Sequence, residues 1–272
     1  MLIWTIILEC FDTYTHYNLM EFDSIMLLID KLFFYINHIF VIIYVGMIHM
    51  NSKTNNDDVI AFLKKHRNFY PEYFEQNRLE KIKYGYTCDI NQIFCHLHKI
   101  PIEQTDYFLL ATLIAKYFNL PNKKVLEVAC GYIPILSSII KKKYGCDIKA
   151  INNKILLHNY NGVNTEEFDL FKPYNLSEFD LIIGFRPCDI TESIILECFK
   201  YKKDFVFYLC PCIIEPLNKE NYVRNEWTYE KWTDYIFNLV NSNNNYRCKI
   251  IKKHSLEDDC PIIIAKYLNK NN

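Results

Sequence analysis

From residue 124 onward, short apolar runs alternate with segments of helical periodicity, and this alternation constrains the chain more than any other feature. Strand candidates fall at 124–129, 147–152, 166–171, 179–184, 205–210, 247–252 and 261–267, and helices fit at 134–144, 190–201 and 228–241. Strands separated by helices close into a parallel sheet covered on both faces. The last two strands are joined only by "KHSLEDDC", which is too short for a helical crossover, so that pair is expected to be antiparallel. The predicted fold is α/β, with a mostly parallel seven-stranded sheet, a terminal antiparallel hairpin and N-terminal helices. No internal repeat is visible.

The sharpest local signal is "KKVLEVACGYIPILSSIIKKKYGCDIKAINN", residues 123–153, which reads as strand, tight turn, helix and second strand. Ile135, Leu136, Ile139 and Ile140 form the inner face of the helix, and Pro134 fits its first turn. Lys141, Lys142 and Lys143 stand at its negative end, and Gly145 is the expected stop. The turn "ACGYI" then aims the helix N-terminus at the space above the sheet, where α/β folds bind nucleotides.

On "VLEVACG", the order of elements and the terminal hairpin, the region from about 105 to 267 resembles the class I S-adenosylmethionine-dependent methyltransferases, whose fold is Rossmann-like. In that family an acidic residue is followed by three alternating small positions. Here Glu127 is the acid, and Ala129, Gly131 and Ile133 occupy the small positions, so the turn is degenerate and keeps one glycine. The second strand ends on Asn152, 21 positions after Gly131, where the family usually places a carboxylate for the ribose hydroxyls. An amide oxygen accepts one such hydrogen bond without charge assistance. By the same resemblance Asp169 faces the adenine amino group, and Gly184 at the fourth strand's end completes the cofactor-binding set. The implied cofactor is S-adenosyl-L-methionine and the implied activity is methyl transfer. The rival reading is a non-catalytic binding or scaffold protein that keeps the fold, and Asn152 and Ile133 are its evidence.

The fourth strand runs into "FRPCDITE". The resemblance turns this end toward the transferred methyl, which makes Arg186, Cys188 and Asp189 the catalytic candidates. Arg186 suits an anion clamp. Asp189 suits either a base or, with Glu192 three residues on, a helix cap. The motif of amide-nitrogen methylation is absent here. After the fifth strand, "LCPC" sets Cys210 and Cys212 two apart, and a proline–cysteine pair at this place is similar to that of some RNA-modifying relatives. "CHLH" (Cys95, His96, His98) supplies further zinc-type ligands, but no spacing makes four converge, so thiols in a core or cleft are the expectation and no metal is assigned. Trp232, Tyr235, Ile236 and Leu239 share a helical stripe that reads as core, not as a base-stacking platform.

The chain has 272 residues, a formal net charge of −1 and 11 cysteines. That charge carries no nucleic-acid signature, so the acceptor stays open between a small molecule and RNA. An odd, scattered cysteine count fits a reduced, cytoplasmic protein better than a disulfide framework. Before the main domain (105–272), a helical segment is expected over 50–104, with Val59, Ile60 and Leu63 behind Asn and Asp caps. A second short helix is expected to end at Gly85. A third, with Tyr107, Leu110, Ile114 and Phe118 on one stripe, is capped by Thr105. Residues 1–49 form an apolar extension. Its stretch 25–48 is long enough for a bilayer, which takes about 20 residues, but Asp30, Lys31, Asn37 and His38 interrupt it. A misassigned start upstream of Met50, a membrane-associated helix and a docked helix all remain open. Membrane contact is not the favoured reading, and residues 1–49 are expected to be dispensable.

Overall fold

The computed structural model describes residues 56–75, 78–79, 82–84, 87–219, 222–252 and 260–268. The apolar stretch 25–48 and the helix end at Gly85 lie outside them. No helix among the described residues is long and apolar enough to cross a membrane.

The sheet contains β1 (Lys124–Val128), β2 (Asp147–Asn152), β3 (Asn164–Glu167), β4 (Leu181–Phe185), β5 (Asp204–Tyr208), β6 (Tyr246–Ile251) and β7 (Ile262–Tyr267), in the order β3-β2-β1-β4-β5-β7-β6. The first five are parallel. β7 slots antiparallel between β5 and β6, so the expected terminal hairpin is present. The strand order reverses between β1 and β4, which makes that pair the topological switch point of the sheet.

Helices α1 (Asp57–Lys65), α2 (Pro71–Glu75), α3 (Cys88–His96) and α4 (Asp106–Tyr117) precede the sheet. α5 (Ile135–Tyr144), α6 (Thr191–Tyr201) and α7 (Tyr229–Asn241) connect its strands. Burial follows the two-residue period of the strands. Val125, Leu181, Ile183, Val206 and Ile264 pack under α4 and α5. Leu126, Ile182, Phe205, Phe207 and Ile263 pack under α6 and α7, where Trp232 and Ile236 are buried core residues. Burying one such side chain contributes about 1.5–3 kcal/mol, so a sheet covered on both faces outweighs the weak intrinsic preference of any single strand.

Several local expectations hold. The Thr105 side chain accepts a hydrogen bond from Phe108 N and starts α4, whose Tyr107, Leu110 and Ile114 are buried. Gly145 stops α5 in the left-handed region at φ +67°. Others need correction. Asn56 stands at the α1 N-cap, but its amide donates to Ile82 O at 2.6 Å, so the cap bond is not made. The second helix covers only Pro71–Glu75. α3 was not anticipated as an element; Thr87 caps it by accepting from Ile90 N. The third strand occupies 164–167, not 166–171, because Asp169 takes Phe171 N on its own side chain and turns the chain.

α1, α2 and α3 build a separate small core from Val59, Leu63, Tyr70, Tyr73, Ile90 and Ile93. Tyr132, from the turn after β1, packs into it against Phe69 and Tyr70. The N-terminal helices thus lie against the mouth of the first strand.

Candidate functional site

The turn after β1 is built by two left-handed residues, Ala129 at φ +55° and Gly131 at φ +73°. The alanine is strained there, since a left-handed residue with a Cβ costs about 1–2 kcal/mol. The Gln92 side chain holds the turn. Its Nε2 donates to Cys130 O at 2.8 Å, and its Oε1 accepts from Ile133 N at 3.2 Å. Gln92 is only 4% exposed, and a Cβ on Gly131 would sit 2.2 Å from its Nε2. Glycine is required because α3 brings this amide against the backbone. Ile133, at the third small position, is fully buried in the core.

Glu127 does not reach into the crevice. It is 1% exposed and takes both the backbone N–H of Ser137, at 3.0 Å, and the Ser137 hydroxyl on one oxygen. The carboxyl therefore pins the first turn of α5 to β1. Burial pushes its pKa up to about 7, against the lowering effect of the two Ser137 bonds. The unfolded carboxyl ionises near 4.5, so between these values the folded state keeps a proton that the unfolded state has released. Stability therefore falls as pH rises from about 4.5 to 7 and does not recover above it. Asp89, raised by burial to about 6, adds to the same slope. Glu127→Gln keeps an acceptor for Ser137 and removes the titration. Its thermal midpoint is expected to lose several degrees less than the parent's between pH 5 and 7.5 in calorimetry. Equal slopes would rule out Glu127 as the source.

At the end of β2, Asn152 donates from Nδ2 to Lys154 O at 2.9 Å, and Asn153 accepts from Leu170 N at 2.8 Å. Asp169 lies two residues beyond β3, exposed, with Lys172 Nζ at 3.4 Å. Gly184 is within β4, where an added Cβ would approach the Phe207 ring to 3.0 Å. Its smallness serves sheet packing.

Past β4 the backbone enters the left-handed region twice, at Arg186 (φ +54°) and Cys188 (φ +46°), on either side of Pro187. Arg186 turns inward. Its guanidinium is 3.5 Å from Asp106 Oδ2 and its Nη1 is 3.4 Å from Cys88 Sγ, and it lies over the stacked rings of Phe185 and Tyr208. The Tyr208 hydroxyl donates to the same Asp106 oxygen at 3.2 Å. This group ties the ends of β4 and β5 to the first residues of α3 and α4.

Asp189 is exposed in a single turn of 3₁₀ helix, and no side-chain cap is made at the start of α6. Glu192, the other half of the expected capping box, is buried instead. It accepts from Leu217 N at 2.7 Å and from the Tyr235 hydroxyl at 2.5 Å. One donor from the segment leading to α7 and one from α7 itself outcompete the cap.

Cys210 and Cys212 stand past the end of β5, not on it, with sulfurs 2.7 Å apart. Cys188 joins them, and all three sulfurs lie within 4.8 Å of one another. Cys95, His96 and His98 do not take part; His96 contacts the Tyr160 hydroxyl at 3.5 Å. The residues that sequence reasoning missed are Gln92, Asp106 and Cys88. The Thr87 cap signal could have located α3 and, with it, two of the three.

The ends of β1, β2, β4 and β5 thus carry Ala129, Gly131, Asn152, Arg186, Cys188, Asp189, Cys210 and Cys212 along one edge of the sheet. An open depression lined by Phe168, Pro173 and Tyr174 lies elsewhere, on the β3–β4 connection.

No protein-family model matches the chain, and no curated protein matches it. Solved structures do. A plantazolicin methyltransferase, BpumL, in complex with S-adenosylhomocysteine is similar at 14% identity, over 79% of this chain and 99% of that one, with a TM-score of 0.46. An RNA methyltransferase from Salinibacter ruber, also in complex with S-adenosylhomocysteine, is similar at 8% identity, over 64% and 96%, with a TM-score of 0.37. Coclaurine N-methyltransferase, bound to N-methylheliamine and S-adenosylhomocysteine, is similar at 17% identity with a TM-score of 0.32; the chain spans 35% of its length. The strand order of this chain, with its reversed seventh strand, is by itself the Rossmann-like architecture that the sequence resemblance implied.

Proposed function

We propose that this chain is a methyltransferase that uses S-adenosyl-L-methionine. One observation carries the reading: at the switch point between β1 and β4, a left-handed turn and the N-terminus of α5 stand beside the ends of β2 and β4. Crevices of this kind bind nucleotides in open α/β sheets. The residues fit the cofactor in part. The positive end of α5 favours an anionic group, and Asn152, at the end of β2, is the residue assigned to the ribose hydroxyls. Ala129 and Gly131 offer backbone, and Asp169 stands beyond β3 for the adenine. Gln92 is the departure, since it lies against Gly131 where an open turn would leave room.

S-adenosyl-L-methionine supplies, when bound, an electrophilic methyl group on a sulfonium sulfur. The protein's part is to hold and orient, because positioning accounts for most of the rate in such transfers. Glu127 fixes α5, and Arg186 fixes the ends of β4 and β5 through Asp106. Cys188 and Asp189 stand on the acceptor side, with Asp189 the exposed carboxylate available to take a proton. The acceptor class is a small molecule or RNA.

The second reading, a binding or scaffold protein with the same fold, rests on Asn152 and Ile133 in the sequence and on Gln92 against Gly131 in the structure. Calorimetric titration with S-adenosylhomocysteine separates the two. Saturable heat and a raised thermal midpoint are expected; no heat and no thermal shift at millimolar ligand would leave the scaffold reading standing.

A further inference from the structure

Among the described residues the three cysteines past β4 and β5 form a group that neither the cofactor crevice nor the core accounts for. Cys188 comes from the turn after β4, and Cys210 and Cys212 come from the segment after β5. The backbone brings them together. β4 and β5 are paired in register to Phe185 and Tyr208, so residues two to four positions further on emerge side by side. Arg186 N donates to Tyr208 O at 2.7 Å, and Leu209 N donates to Pro261 O at 3.0 Å, which fixes both connections. The left-handed φ of Cys188 then turns its thiol, which donates to Arg186 O at 3.3 Å, toward the pair.

We infer that Cys188, Cys210 and Cys212 form a three-thiolate binding site for a zinc ion. With zinc–sulfur bonds of about 2.3 Å, tetrahedral geometry sets sulfurs roughly 3.8 Å apart, and the present cluster, within 4.8 Å throughout, needs only side-chain adjustment to reach it. Cys188, Cys210 and Cys212 are all free thiols in the structure, and a Cys210–Cys212 disulfide would leave Cys188 outside the bond. Burial grades from Cys210, 6% exposed, through half-buried Cys188 to exposed Cys212, so an ion has an entry side and a face left for a fourth ligand. Water fits that face. Three thiols release three protons when they bind one Zn²⁺. Binding is therefore proton-coupled. The inference does not depend on methyl transfer.

The test uses the full chain, purified with reductant and stripped of metal, then titrated with zinc chloride against a chromophoric chelator. One zinc per chain is expected, with cobalt(II) giving thiolate-to-metal charge-transfer absorption at the same stoichiometry. Cys212→Ser, at an exposed position, and Cys188→Ser are each expected to weaken zinc at least tenfold while circular dichroism is unchanged. Cys248→Ser, on β6, is expected to leave the affinity as it was. Unchanged affinity in Cys212→Ser, loss equal to that in Cys248→Ser, or a Cys210–Cys212 disulfide in peptide maps of the reduced protein would overturn the site.

Discussion

Arg186→Ala is expected to lower the thermal midpoint by on the order of 10 °C. The Arg186 and Asp106 side chains are 8% and 13% exposed, so solvent screens the pair little. Removing one partner strands the other charge in the interior, which costs about 3–5 kcal/mol, even where the intact pair adds little net stability. For a domain of this size each kcal/mol is worth about 2–4 °C. The stacked rings of Phe185 and Tyr208 also lose the cation above them. Arg186→Lys should recover only part of the loss, because an ammonium cannot keep the planar contacts to both Asp106 and the rings. Lys172→Ala is the comparison. Its pair with Asp169 is 71% and 49% exposed, and pairs in that setting are worth under about 1 kcal/mol. Differential scanning calorimetry of the three variants decides the matter. A shift in Arg186→Ala no larger than that in Lys172→Ala would mean that the arginine is free for an anionic substrate, as the sequence alone suggested.

Much of the sheet was legible because parallel strands covered on both faces must be largely apolar along their length: "LIIGF" and "FVFY" are wholly so, and "VLEV" is broken only by Glu127. β3 was misplaced for the converse reason. It is the edge strand, "NTEE", with no residue in the core, so hydrophobicity pointed past it to the apolar residues of 168–171. The turn after β1 was legible as a turn, and Glu127 as its acid. The direction in which that acid points was not, since it depends on Ser137 ten residues on and on burial that only the packed helix creates. Pairs such as Arg186 with Asp106 and Gln92 with Gly131 join residues 80 and 39 positions apart in sequence. No local period encodes them; they follow from which helix lies over which strand end. The cysteines illustrate the same limit. "LCPC" put two sulfurs together in sequence, but the third is supplied by the β4–β5 pairing.

Gly131→Val is expected to remove S-adenosylhomocysteine binding and to lower the thermal midpoint, and the cause is intramolecular first. A β-branched residue at φ +73° is held where side chains carry a penalty of about 1–2 kcal/mol. Its Cβ would also stand 2.2 Å from Gln92 Nε2 and 2.6 Å from Oε1, so the amide must withdraw. Withdrawal breaks the bonds to Cys130 O and Ile133 N in a site that water does not reach, at about 1 kcal/mol or more for each group left unpaired. The total, about 3–5 kcal/mol, corresponds to roughly 10 °C. A double-mutant cycle separates the contributions. Gln92→Ala opens the space but leaves Ile133 N without its acceptor. In the pair Gly131→Val/Gln92→Ala the clash with the amide is gone and only the backbone penalty and the lost bonds remain, so the double variant should be less destabilised than the sum of the singles, by about 1 kcal/mol or more. Additivity would mean that Gln92 does not press on the turn in solution. Calorimetric titration of the singles below their midpoints then tells whether the turn serves a ligand. If Gln92→Ala binds S-adenosylhomocysteine at least as well as the parent while Gly131→Val does not, the glycine serves backbone approach to the cofactor, and Gln92 is the plug that the cofactor must share the turn with.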